Sequence, residues 1–215
     1  MTAYNAQMLT TIANHFVKFP LKKTLPVEGH MTSAAVLVVL WGSNDDPKVI
    51  LTQRSEHLKS HAGEVAFPGG KWDPEDTDLL QTALRETFEE IGLSSSAIRP
   101  IAMLPSGSPR LRDIQVTPFV AIADNKLFLK AQGDEIAAIF HTPLKAFMDV
   151  NSYEYHEMKV GSEFGGGMVR FPFLMFEGYK IWGFTLKVIV DLLNSTLNAG
   201  IDLEYPWAVN KQDLE

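Results

Sequence analysis

Glu86, Glu89 and Glu90 place three carboxylates within five residues of the stretch Arg85-Glu86-Thr87-Phe88-Glu89-Glu90-Ile91-Gly92-Leu93. The stretch is patterned as a helix. At roughly 100° per residue, Glu86 and Glu90 stand one turn apart on one face with Glu89 beside them. Like charges so placed repel, and each pair lowers helix stability by about a few tenths of a kcal/mol. A divalent cation reverses that sign. Mg²⁺ and Mn²⁺ are hard, oxygen-loving ions, typically held by one or two carboxylates, several waters and the phosphate oxygens of a substrate. The acidic ridge is therefore a candidate metal site for phosphate chemistry.

The elements that must hold the ridge still are written around it. Leu80, Leu84 and Ile91 fall at helical spacings with Leu79, Ala83 and Phe88 nearby, which predicts an apolar side opposite the glutamates. Gly92 suits a left-handed C-cap, and Asp76, Thr77 or Asp78 supplies an N-cap acceptor. Arg85 can orient a carboxylate by a bidentate contact. An ordinary amphipathic helix with a solvated acidic face would share this pattern; what distinguishes the chain is the upstream context. Phe67-Pro68-Gly69-Gly70 follows a strand-like run, Val49-Ile50-Leu51-Thr52. Paired glycines permit backbone approaches that a side chain would block, so a carbonyl there can reach a metal.

Together these segments resemble the Nudix hydrolase signature, in which a glycine loop precedes a helix carrying Arg-Glu, then Glu-Glu and Gly. Two positions depart from it. The acid nearest the family's glutamate before the arginine is Asp76, one residue farther from Arg85, and Thr87 stands where an aliphatic residue is usual. A second resemblance is narrower. Leu51-Thr52-Gln53-Arg54-Ser55, then Lys59, Gly63 and Phe67-Pro68-Gly69-Gly70, is similar to the extra motif of the coenzyme A pyrophosphatase branch, which commonly has arginine in place of Lys59. The longer spacing before Arg85 recurs in that branch. Phe176-Glu177-Gly178-Tyr179-Lys180-Ile181-Trp182-Gly183-Phe184-Thr185 is similar to the segment that opens its last helix, so the resemblance runs from Ala34 to Leu193.

The resemblance implies a metal-dependent hydrolase that cleaves the pyrophosphate of coenzyme A or its thioesters into 3′,5′-ADP and 4′-phosphopantetheine, with Mg²⁺ or Mn²⁺ as cofactor. It makes Glu86 and Glu90 the principal ligands with the Gly70 carbonyl assisting. Glu89 then ligates a second ion or orients the attacking water, and Glu135 is the alternative base. Arg54, Lys59, Arg110 and Arg112 are the basic residues placed near phosphate groups. Gathered carboxylates resist full ionisation, so an alkaline optimum is expected. Two other readings stand beside this one: a pyrophosphatase for NADH, ADP-ribose or another nucleoside diphosphate derivative, and a non-catalytic nucleotide-binding module, against which the survival of all three carboxylates counts.

Composition narrows the rest. With 215 residues and 46% hydrophobic content the chain suffices for a single domain over 1–215, and no linker, repeat or charge block divides it. A net charge of −7 argues against an extended nucleic-acid groove. Zero cysteines exclude disulfides and thiolate chemistry and suit a reducing cytosol. No signal peptide and no apolar run of membrane-spanning length is apparent, so a soluble cytoplasmic protein with a small nucleotide substrate is expected, and a homodimer is compatible with the sequence. The six histidines lack zinc-ligand spacing. Ser106 and Ser108 lack a nucleophile-elbow context, and Walker and GxGxxG loops are absent.

Periodicity predicts helices over Ala6–Val17 and Phe184–Leu197 and a short one over Pro143–Met148. It predicts strands over Ser33–Trp41, Lys48–Arg54, Ile98–Leu104, Val116–Ala123, Lys126–Lys130, Glu135–Phe140, Tyr153–Val160 and Met168–Phe176. Mixed strands and helices mean an α/β or α+β protein; the resemblance implies the Nudix α/β/α sandwich with a mixed β-sheet.

Overall fold

The apolar run after residue 31 folds as the central strand of the structure, a computed structural model that describes residues 7–26, 32–58, 61–108, 114–123, 127–161 and 166–205. Along β1 (Thr32–Gly42), Ala35, Leu37 and Val39 point to one face and Val38 and Leu40 to the other, all buried. A strand covered on both faces reads as a continuous apolar run for this reason. β1 forms an antiparallel hairpin with β2 (Pro47–Arg54) and runs parallel to β6 (Ile114–Ala123) from Thr32↔Ile114 to Leu40↔Ile122. β3 (Val65–Ala66) and β7 (Ile136–Pro143) pair with β2, β4 (Gly69–Lys71) with β1, and β5 (Ile98–Met103) with β6, all antiparallel. The result is a seven-stranded mixed sheet in the order β3-β2-β1-β6-β5, with β4 and β7 off that path.

Each face carries helices. Ala35, Leu37, Val39, Ile50, Phe119 and Ala121 pack with Leu79, Ala83 and Ile91 of α2 (Leu79–Ile91). On the other side, Val38, Leu40, Val49, Leu51 and Val120 pack with Met8, Ile12 and Phe16 of α1 (Met8–Phe16) and Leu186, Ile189 and Leu193 of α3 (Gly183–Leu197). Leu174 and Ile181 join this second core from a three-stranded sheet of β8 (Tyr153–Val160), β9 (Gly167–Phe176) and β10 (Tyr179–Trp182). These layers form the α/β/α sandwich with a mixed sheet that the resemblance implies. Among the described residues no helix is long and apolar enough to cross a membrane.

Three local expectations are corrected. Residues 127–130 form no strand. The backbone there closes the end of α2 instead: Lys130 N–H donates to Ile91 O and Gln132 N–H to Glu90 O, each at 3.0 Å. Phe88 is 53% exposed. The buried row of α2 is Leu79, Ala83, Thr87 and Ile91, so Thr87 holds the inward position and turns Phe88 outward. The predicted short helix is a 3-10 segment, Leu144–Met148.

Candidate active site

α2 is fixed at both ends. Asp78, extended at the N-cap, accepts from Gln81 N–H at 2.9 Å, and Gln81 Oε1 accepts from Thr77 N–H at 2.7 Å. At the other end Gly92 takes a left-handed φ of 70° and donates to Phe88 O. Between the caps, Glu86 and Glu90 project toward β4, Glu90 also toward the end of β2, while Glu89 is exposed beside Arg85.

The glycines of β4 are dictated by crowding. At Gly69, with φ at +148°, a Cβ would fall on the Ala35 carbonyl oxygen and 2.5 Å from Val36 Cα. A Cβ at Gly70 would overlap the Glu86 carboxylate. The bare backbone therefore lets β4 lie on β1 and leaves a recess that the Glu86 head group occupies. Gly69 N–H donates to Glu90 Oε2 at 3.1 Å, which ties the strand to the helix.

Arg85 organises the same face from beneath. Its Nε and Nη2 each donate at 3.0 Å to Asp76 in a bidentate fork, while Nη1 donates to Glu86 at 2.9 Å and to Glu89 at 3.1 Å. The bidentate partner is thus Asp76, the acid whose spacing departs from the family signature. Its side chain is 2% exposed and also accepts from Thr82 Oγ1 at 2.8 Å and Asp73 N–H at 3.1 Å. Sequence reading marked Asp76 only as an irregular spacing or a cap. The available signal was Arg85 itself, a cation beside the acidic face whose fork can hold more than one carboxylate.

Of the other expected residues, Arg54 and Glu135 do meet the ridge. Arg54 Nη1 lies 3.8 Å from Glu90 Oε1 and Nη2 lies 3.6 Å from Glu135 Oε2. Glu135 sits one position ahead of β7 rather than inside it, and its carbonyl accepts from Ser55 N–H at 2.7 Å. Lys59, Arg110 and Arg112 lie outside the described residues. Ser106 Oγ is 2.8 Å from Thr117 Oγ1, a structural hydroxyl pair.

Burial sets the electrostatics. Glu90, with a side chain 12% exposed, is pushed up to about 7 by desolvation, against the lowering by Gly69 N–H and Arg54. Burial also raises Glu86, against Arg85. Asp76 goes the other way, because the Arg85 fork stabilises its ionised form. The sign for stability follows by linkage. Glu90 holds its proton more tightly folded than unfolded, so its contribution is complete below its ordinary value of 4.5 and is lost as pH rises through about 7. At about 1.4 kcal/mol per pH unit this removes on the order of 3 kcal/mol. Asp76 is ionised in both states over that window and does not offset it. The metal-free protein should melt at progressively lower temperature from pH 5 to pH 8, and Glu90→Gln should flatten the profile; thermal melts in chelator check both.

A divalent ion fits this donor set. Glu86, Glu89 and Glu90 offer hard carboxylate oxygens, and the bare Gly70 backbone leaves room for the Glu86 carboxylate beside β4. Glu90 is a largely buried acid that, among the described residues, has no cation at hydrogen-bond distance. Among the described residues no three acidic or histidine side chains are yet gathered around one point. The ridge oxygens are instead turned to Arg85, Gly69 N–H and Arg54.

Comparison with known proteins places the chain in a family. Residues 31–159 match the NUDIX domain. The chain is 34% identical over 182 residues to the protein named Uncharacterized Nudix hydrolase NudL of Yersinia enterocolitica, covering 83% of this chain and 90% of that one. It is 38% identical over 159 residues to the protein of the same name from Escherichia coli O6:H1, covering 74% and 80%. In architecture it resembles the crystal structure of a Nudix hydrolase from M. smegmatis, RenU, with a TM-score of 0.51 at 15% identity over 86% of this chain and 99% of that one. The chain belongs to the Nudix hydrolases, a family of enzymes that generally use divalent metals such as Mg²⁺ or Mn²⁺.

Proposed function

We propose that this enzyme hydrolyses the pyrophosphate bond of coenzyme A or its thioesters, giving 3′,5′-ADP and 4′-phosphopantetheine or its acyl derivative. One observation carries the reading: the two ends of the segment that resembles the coenzyme A branch, Arg54 and Gly69, both reach the same carboxylate, Glu90. The branch motif and the glutamate helix thus form one site.

Glu86 and Glu90, with the Gly70 carbonyl, would hold the divalent ion, Mg²⁺ or Mn²⁺. Bound there, such an ion neutralises the pyrophosphate oxygens and makes water a stronger acid. The chain's own residues do the remainder. Asp76 and Arg85 hold the ridge in register, and Arg54 faces the pyrophosphate. Glu89 or Glu135 takes the proton as water's oxygen bonds to one phosphorus and the bridging oxygen leaves on the other. Lys59, Arg110 and Arg112 remain the cations for the outlying phosphate of the substrate.

Mass spectrometry of products from CoA, acetyl-CoA, NADH and ADP-ribose, assayed side by side, tests the substrate. CoA should be the best of the four or equal to its thioester. Equal efficiency on NADH would leave only a general nucleoside diphosphate hydrolase. A finer expectation concerns the 3′-phosphate that dephospho-CoA lacks. A cation paired with it contributes roughly 1.5–3 kcal/mol, so Lys59→Ala should lose about ten- to a hundredfold in kcat/KM on CoA and almost nothing on dephospho-CoA. Arg54→Ala, beside Glu90, should lose equally on both substrates.

A further inference from the structure

The pairing of β2 with β7 slips between Gln53, opposite Ala138, and Arg54, opposite Ile136, so the extra residue is Ala137 of β7 and the slip brings Arg54 one position nearer the start of β7, where Glu135 precedes the strand. The backbone around Arg54 is held on every side. Its N–H donates to Glu64 O at 3.0 Å, its carbonyl accepts from Gly63 N–H at 3.2 Å, and the next N–H, of Ser55, donates to Glu135 O at 2.7 Å. The guanidinium aimed by this framework stands 3.8 Å from Glu90 and 3.6 Å from Glu135. Both separations are too long for hydrogen bonds, and among the described residues the buried Nε–H has no acceptor. A guanidinium carries its N–H donors in a rigid fork that matches phosphate oxygens. Here the charge is balanced from a distance, and among the described residues no acceptor lies within hydrogen-bond reach of the fork.

We propose that Arg54 is a substrate-binding residue that changes partner as the site fills: it balances Glu90 and Glu135 while the ridge is metal-free, and turns its fork onto a substrate phosphate once Glu90 holds a cation. This rests on the reading of Glu90 as a metal ligand. A dication bound at Glu90 repels a guanidinium only a few ångströms away, so loading the ridge frees Arg54 at the moment an anion is needed. Metal and phosphate then bind cooperatively, each raising the affinity of the other.

Two binding measurements on Arg54 variants test this without turnover: Mn²⁺ affinity from the electron paramagnetic resonance signal of the free ion, and calorimetric titration of the Mn²⁺-saturated protein with methylenediphosphonate, a pyrophosphate analogue that cannot be hydrolysed. Arg54→Gln should bind Mn²⁺ no more weakly than wild type, and about threefold more tightly as the competing cation is removed. The same variant should bind the analogue about ten- to a hundredfold more weakly. Arg54→Lys, which keeps the charge without the fork, should retain wild-type Mn²⁺ affinity and still lose about tenfold on the analogue; it carries the test if the Gln variant does not fold. Weakened Mn²⁺ binding in both variants would make Arg54 a scaffold for Glu90, and unchanged analogue affinity would show that its fork never reaches phosphate; either result overturns the proposal. A wild type that binds no Mn²⁺ would remove the metal-site reading and this inference together.

Discussion

Glu90→Gln is expected to lower turnover on CoA by at least about a hundredfold, the scale of losing one electrostatic element of catalysis, while the fold stays intact. The substitution keeps size and an acceptor for Gly69 N–H, so β4 remains tied to α2. What disappears is a charge that burial disfavours. At pH 8 and without metal the variant should therefore melt at or above the wild-type temperature, since it no longer carries an ionised carboxylate in a poorly solvated position. Added Mg²⁺ should raise the melting temperature of the wild type and barely move the variant, because an ion that binds only the folded state stabilises it by mass action. Near-wild-type turnover at saturating Mg²⁺ would remove Glu90 from the metal site.

The largest expected change in stability comes from Arg85→Met. The methionine retains much of the stem's apolar contact but strands Asp76, whose side chain is 2% exposed, with only a hydroxyl and one backbone N–H for partners. An uncompensated buried charge of this kind costs about 3–5 kcal/mol, or roughly 6–20 °C in Tm for a chain of this size. Glu86 and Glu89 lose their anchor in the same step, so turnover should fall as well. The double substitution Asp76→Leu with Arg85→Met separates the two effects. It removes both charges, and apolar replacement of a buried pair is often neutral, so much of the stability should return while activity stays low. Recovery of both would mean that the Arg85 fork supports folding alone; recovery of neither would mean that leucine does not fit the Asp76 pocket.

What could be read in advance depended on the range of the interaction. The glutamate face, the Gly92 cap and the apolar strand β1 all follow from neighbours within a turn or a strand, and the structure has them where the pattern put them, while the N-cap, left open among Asp76, Thr77 and Asp78, is Asp78. Phe88 was misplaced because the inward row of α2 runs through a threonine that hydrophobicity does not flag. Leu127 and Leu129 looked like a strand, yet they pack against the α2 layer as a coil whose amides cap that helix. β10 was read only as the lead-in to the last helix. Its four residues pair Tyr179–Trp182 with β9, too short a run for alternation to declare itself. The partnership of Arg54 with Glu90 and Glu135 was the least legible, since three separate stretches of chain are brought together by a bulge, a helix face and the approach to β7.

The parallel pairing of β1 with β6 also governs how the chain reaches this state. As the polypeptide leaves the ribosome, β1 can close its hairpin with β2 and receive the Gly69–Lys71 strand soon after, since both partners are nearby in sequence. Its other edge waits for Ile114–Ala123. Until then the sheet's most apolar strand presents unpaired amides and carbonyls, the kind of edge on which chains join one another wrongly. Closing so long a loop is also the slow part of assembly. The pace at which the glutamate ridge gains a finished support is thus set by a strand to which no residue of that ridge belongs.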